Sequence, residues 1–271
     1  MECILSSRHS TTNRIAFLLI FFVVSLQFVS DANAQQWLKI TLTEQEYPPL
    51  IIHGNGTEGV LTEIVRESFK LAKVEAVFTS VPNNRAITGL MQGLYEGSYG
   101  WAHSRERDAK LIYSSKPIYF LRIVFFQRSG EGLEWNSLTD LAQYTIGVTM
   151  GNYYSDEFES LSASGALHTD PAPSDISNFK KLLIGRIHLF PIDQDVGLFL
   201  LKNNFSQEER KKITFQRKAI SIIPVYLVVR RNLPQAQELR DRFDQGYQQL
   251  ADSGQLEKIL ALHKSQLLLQ Q

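Results

Sequence analysis

Between Trp101 and Tyr119 the chain reads WAHSRERDAKLIYSSKPIY. Arg105 and Arg107 stand two residues apart in it, with Trp101, His103 and Ser104 just ahead. A guanidinium fork can hold a carboxylate through two parallel hydrogen bonds, which a lysine cannot do. The same residues can also be solvated loop cations, or pair with Glu106 or Asp108. Asp193 closes the apolar run IHLFPI and precedes QDVGLFLL, where an aspartate commonly caps a helix. Asn152 and Tyr153 follow GVTMG at the predicted start of another helix. Backbone N–H groups at such a start favour an anion whatever the side chains are, although Asn152 can equally be a plain cap. Tyr47, before Pro48, can stack over a bound molecule or simply fill a turn. For acid–base chemistry the candidates are Glu44, Glu46 and His103. No G-x-S-x-G, H-E-x-x-H or glycine-rich phosphate loop accompanies them.

Composition narrows the classes further. The 271 residues carry no net charge, and lysines and arginines are spread along the chain, so no basic patch for nucleic acid is expected. The first residues have the layout of a secretory signal peptide. Arg8 and Arg14 precede the apolar run Ile15 to Val29, and Ala32-Asn33-Ala34 then offers a cleavage site. Cleavage after Ala34 is the expectation, because the run of 15 residues is short for a membrane span. The single cysteine, Cys3, lies in that segment, so the mature chain has no thiol for a disulfide or a metal. About 237 residues remain, enough to bury a substantial core without staples.

The elements that must position these residues alternate. WLKITLT, EAVFTSV, IYFLRIVFFQRS, YTIGVTMG, RIHLFPID and SIIPVYLVVRR read as strands. GVLTEIVRESFKLAKV, NRAITGLMQGLYEG, SLTDLAQ, NYYSDEFESLSASG, SDISNFKKLLIG, QDVGLFLLKN and two closing segments read as helices. In the first two of these, Ile64, Val65, Phe69, Leu71, Ala72, Ile87, Leu90, Met91 and Leu94 are predicted to face inward. Such alternation predicts an α/β fold with mainly parallel sheets, and ligands then sit at the carboxyl ends of strands. Two α/β units, each followed by a long apolar strand, predict two lobes joined by two crossover strands.

In order along the chain, six segments resemble the family 3 extracytoplasmic solute-binding proteins, the polar amino-acid-binding type that serves ABC importers. They are TEQEYPPLI, NRAITGLMQGLYEG, SRERDAKLIYSSKPIY, SLTDLAQYTIGVTMGNYYSDEF, LLIGRIHLFPID and LRDRFDQGYQQLADSGQLEKIL. The resemblance covers essentially the whole mature chain. It implies the two-lobed type II periplasmic-binding-protein fold, with 1–34 as signal peptide, 35–120 plus 225–271 as one lobe and 121–224 as the other. It further implies hinge closure over a small polar solute, an amino acid or related carboxylate. Ser104 and Glu106 fit the family's T-x-E-R, which makes Arg107 the match for its carboxylate-binding arginine and leaves Arg105 facing water. Asp193 matches the carboxylate that holds an ammonium. Arg85 matches the arginine of W-x-R-A, with Asn83 in place of the tryptophan. Tyr47, Trp101, His103, Asn152 and Tyr153 complete the implied site.

Several departures stand out. GSYGWAH replaces a small Ser/Thr-rich wall, Glu96 and His188 stand where the family has aspartates, and Ser114 to Pro117 carries one extra residue. The implied partner is an inner-membrane ABC permease or a membrane sensor, and the implied state is a periplasmic monomer without cofactor. A few relatives on this scaffold are enzymes using a cleft carboxylate. A degenerate module that docks on another protein is the remaining alternative.

Overall fold

The computed structural model describes residues 37–52 and 58–269. The expected signal segment, Cys3 and the cleavage site lie outside the described residues. Residues from Leu38 onward form one compact unit.

The first strand, Leu38–Glu44 (β1), leads through helix Val60–Leu71 (α1) to strand Val74–Ser80 (β2). Helix Asn83–Met91 (α2) then leads to strand Gly97–Trp101 (β3). β1 lies between β2 and β3 and is parallel to both, the product of two successive β–α–β crossovers. A four-residue helix, Arg105–Asp108 (α3), and a short strand, Leu111–Tyr113 (β4), precede the long strand Tyr119–Arg128 (β5).

The pattern repeats with strand Thr145–Thr149 (β6), helix Asp156–Ala163 (α4), strand His168–Ala172 (β7), helix Asp175–Leu183 (α5) and strand Leu189–Asp193 (β8). β6 lies between β7 and β8 and is parallel to both. Helices Gln194–Asn204 (α6) and Gln207–Lys211 (α7) lead to strand Ile213–Arg230 (β9), and helices Ala236–Asp252 (α8) and Gln255–Leu269 (α9) follow.

Among the described residues nine strands form one sheet, in the order β2-β1-β3-β9-β5-β8-β6-β7, with β4 on β9. β9 joins the two halves. Its 18 residues span about 60 Å at ordinary strand rise. One end pairs with β3 and β4, and much of the strand runs antiparallel to β5. The parallel pairing expected within each lobe is present, and the antiparallel strand pairs among the described residues all involve the two long strands that join the halves. Each half is parallel at its outer strands, but β5 and β9 run antiparallel through the middle.

Each half has its own aromatic core. Phe69 and Phe243 pack with ring centroids 5.1 Å apart between α1 and α8. Phe126, Phe179 and Phe190 pack edge to face in the other half. Ile64, Val65, Phe69, Ala72, Ile87 and Leu90 are buried as predicted. Leu94 and Leu71 are not, at 70% and 43% exposed. α2 ends at Met91, and Gly93 turns the chain in the left-handed region, so Leu94 falls past the helical face.

Candidate functional site

A narrow cleft with about 430 Å³ of atom-free space opens where the carboxyl ends of β1 and β3 face the turn after β6. Its floor is made by the crossing strands, through Leu121 of β5 and Ile223 and Val225 of β9.

Arg107 reaches it from α3. Ser104 caps that helix, its hydroxyl accepting the Arg107 N–H at 3.4 Å. The Arg107 guanidinium donates to the carbonyl of Ala102 at 3.2 Å and, across the cleft, to that of Gly151 at 3.4 Å. Its carbon lies 5.2 Å from the centre of the Trp101 ring, a cation–π distance. Among the described residues no carboxylate pairs with it, neither Glu106 nor Asp108. Burial pulls its pKa below the usual arginine value, partly offset by Tyr113, Glu106 and Glu159. A guanidinium in such a place remains charged. Arg105, by contrast, is exposed, as expected.

Trp101 is buried beneath this cation, and its indole N–H donates to Ser98 Oγ at 2.7 Å. Gly100, at φ 81°, lines the cleft, and the pairing of β3 with β9 shifts register between Tyr99 and Trp101. A residue with a side chain would be strained in that left-handed conformation. His103 points elsewhere. Its ring stacks on Tyr113 with centroids 3.7 Å apart, and its Nδ1 meets Asp108 Oδ1 at 2.8 Å. It is not among the residues lining the cleft, and neither is Ser104, whose role is the cap.

Asn152 and Tyr153 line the opposite wall, and the Tyr153 hydroxyl donates to Asp156 at 2.8 Å. They do not begin a helix, as the sequence predicts. α4 starts at Asp156, and the Ser155 side chain caps it by accepting from the Phe158 N–H. The N-terminal amides of that helix therefore do not reach the cleft through Asn152 and Tyr153.

Tyr47 lies in a turn closed by its own backbone bonds to Ile51, and its ring forms another part of the cleft wall. Burial, Asp175 and Asp193 all raise its pKa, so the phenol stays neutral. Asp193 itself is 2% exposed and does not line the cleft. One carboxylate oxygen accepts the N–H groups of Asp195 and Val196, capping α6, and the other accepts from the Arg122 N–H at 2.8 Å. Burial pushes this carboxyl up to about 7 against those three donors. Asp175, accepting from Thr149 Oγ1 at 2.6 Å, is pushed up to about 6 by burial.

Of the nine expected site residues, the fold brings Tyr47, Trp101, Arg107, Asn152 and Tyr153 together and leaves Arg85, His103, Ser104 and Asp193 off the cleft. Arg85 is exposed on α2. Glu44 is buried, accepting from Tyr99 at 2.6 Å, and Glu46 lines a separate, largely apolar cleft with Pro48 and Asp175. No cluster of acids, histidines and cysteines among the described residues could hold a metal. Sequence reasoning missed Gln45. It lines the cleft immediately after β1, and its buried Oε1 has no hydrogen-bond partner among the described residues. The rule that ligand contacts follow the carboxyl ends of strands would have found it.

A family model described as bacterial extracellular solute-binding proteins, family 3, matches residues 40–264. No curated protein matches the sequence. A histidine kinase sensor domain with similarity to periplasmic binding proteins superposes with a TM-score of 0.70 at 19% identity, covering 84% of this chain and 96% of its own. An ancestral arginine-binding protein bound to arginine gives 0.68 at 18%, covering 83% and 97%. An arginine transport-system periplasmic binding protein from Legionella pneumophila gives 0.67 at 15%, covering 83% and 98%.

Proposed function

This chain belongs to the bacterial extracellular solute-binding proteins, family 3, and on that premise we propose that Arg107 clamps the carboxylate of a small solute, an amino acid or related acid. The family is a binding-protein scaffold that works outside the cytoplasm, and the proposed compartment is the periplasm. The observation that carries the reading is the Arg107 guanidinium, fixed over Trp101 and facing a cleft without an acidic partner among the described residues. A half-buried cation left this way favours an incoming anion, because the pair then replaces water lost on burial.

The lobes we assign are 35–120 with 225–271, and 121–224. Arg107, Trp101 and Tyr47 act from the first, Asn152 and Tyr153 from the second. A solute that touches both favours their approach by the contacts it makes only then. The loaded protein, a monomer, then docks on an ABC permease of the membrane. The histidine kinase sensor domain among the similar structures favours a second reading, in which the loaded form signals through a membrane sensor.

A thermal-shift screen of the mature chain against amino acids and small organic acids tests the clamp. A ligand at about 100 times its Kd adds about 2.7 kcal/mol of stability. Arg107→Ala should abolish every shift given by a carboxylate. If those shifts survive unchanged, Arg107 is not the clamp.

A further inference from the structure

We propose that the solute is a hydroxy acid with an apolar or aromatic body, not a zwitterionic amino acid. The inference rests on Arg107 as the carboxylate clamp and concerns what lies next to it. An amino acid held there must place its ammonium beside the carboxylate, close to the guanidinium. A buried ammonium needs a carboxylate or several acceptors around it. None of the described residues lining the cleft is acidic. Asp193, the position that resemblance assigns to the ammonium, is closed off. Both of its oxygens are taken by backbone N–H groups, and Tyr47 lies against it. What the cleft offers in place of an acid is neutral. Gln45 is 5% exposed, lines the cleft, and has a buried carbonyl oxygen with no partner among the described residues. A buried acceptor left unmatched is costly, and a hydroxyl satisfies it without adding a charge next to Arg107. Beside Asn152, the remaining side chains offer surface for an apolar body: Tyr47, Tyr153, Leu121, Ile223 and Val225.

Matched pairs test this by calorimetry on the mature protein: lactate and alanine, 2-hydroxy-4-methylpentanoate and leucine, 3-phenyllactate and phenylalanine, with 3-phenylpropanoate as the acid lacking the hydroxyl. The tightest hydroxy acid should bind at least about 100-fold more tightly than its amino acid, since only the latter brings an unpaired charge. Phenyllactate should exceed phenylpropanoate about 10-fold, the worth of one satisfied buried hydrogen bond. Gln45→Leu should erase that second preference while phenylpropanoate still binds. Amino acids binding as tightly as their hydroxy partners would overturn the inference and leave the Arg107 clamp standing. If neither series binds at millimolar concentration, the inference and the clamp both fail. The wild-type comparison decides the matter even if Gln45→Leu folds poorly.

Discussion

Replacing Asp193 by alanine separates two roles that the sequence allowed for this residue, a helix cap and a ligand contact. The structure assigns three backbone donors to its carboxylate. Losing an aspartate N-cap costs about 1–2 kcal/mol. Leaving the Arg122 N–H without its acceptor in a buried setting costs about 1–3 kcal/mol more. Against this stands the burial of the charge itself. With the carboxyl raised from 3.8 to about 7, the folded protein holds its proton more tightly than the unfolded chain does. The stability from that proton is fully present below pH about 4 and is lost as pH rises through about 7. Asp193→Ala should therefore cost most in acid, about 3 kcal/mol near pH 5, and less near pH 8. In a chain of this size 3 kcal/mol lowers Tm by roughly 6–12 °C.

Urea titrations at the two pH values measure the stability, and calorimetry on the folded variant measures the solute. Affinity should stay within about 3-fold of wild type, less than the worth of one hydrogen bond. A variant as stable as wild type at pH 5 that has lost its solute more than about 100-fold would refute the capping account and make Asp193 a ligand contact.

Other substitutions probe the surrounding frame. Asp175 is pushed up to about 6, so Asp175→Asn should flatten the fall in stability between pH 4 and about 6 in urea titrations. Tyr99→Phe removes the hydroxyl that meets Glu44 at 2.6 Å and Thr62 at 2.8 Å, and should lower stability by about 2–4 kcal/mol in the same assay. Gly246→Ala would set a methyl 1.8 Å from the Ser68 carbonyl where α8 crosses α1. The clash should outweigh the roughly 1 kcal/mol gain in helix propensity, so thermal melts should show a net loss.

The fold was legible where apolar periodicity was strong. β1, β2, β5, β6 and β8 coincide with apolar runs, and α1 presents the predicted Ile64, Val65 and Phe69. β3 was not read as a strand because GSYGW carries two glycines, which pattern reasoning takes as loop. The first eight residues of β9 were missed for a different reason. ITFQRKAI has polar positions that face solvent, and only pairing with β5 makes it a strand.

The site shows the same division. Arg107 was singled out by the T-x-E-R resemblance alone, and its place at the cleft agrees with that choice, since a short capped helix holds it beside Trp101. His103 was misplaced because the resemblance carries GSYGWAH over as one continuous wall. The strand ends at Trp101, and His103 lies beyond it, stacked on Tyr113. Gln45 was invisible as chemistry. A neutral amide acquires meaning only when the fold buries its oxygen in a residue that lines the same cleft as Arg107.

On the proposed mechanism, the geometry of Arg107 also limits how the halves of the sheet communicate. On its own side it has two contacts, the Ala102 carbonyl at 3.2 Å and the Trp101 ring beneath. Its bond across the cleft, to Gly151 at 3.4 Å, is long and ends on a neutral carbonyl. A solute carboxylate replaces that contact with charge-assisted bonds about twice as strong. Closure is driven only by what a solute gains in the closed state over the open one. A carboxylate alone gains little, because Arg107 holds it in either state. The differential contacts must come from Asn152, Tyr153 and the Gly151 turn, so the group that reaches that wall decides which acids close the protein and which merely occupy it.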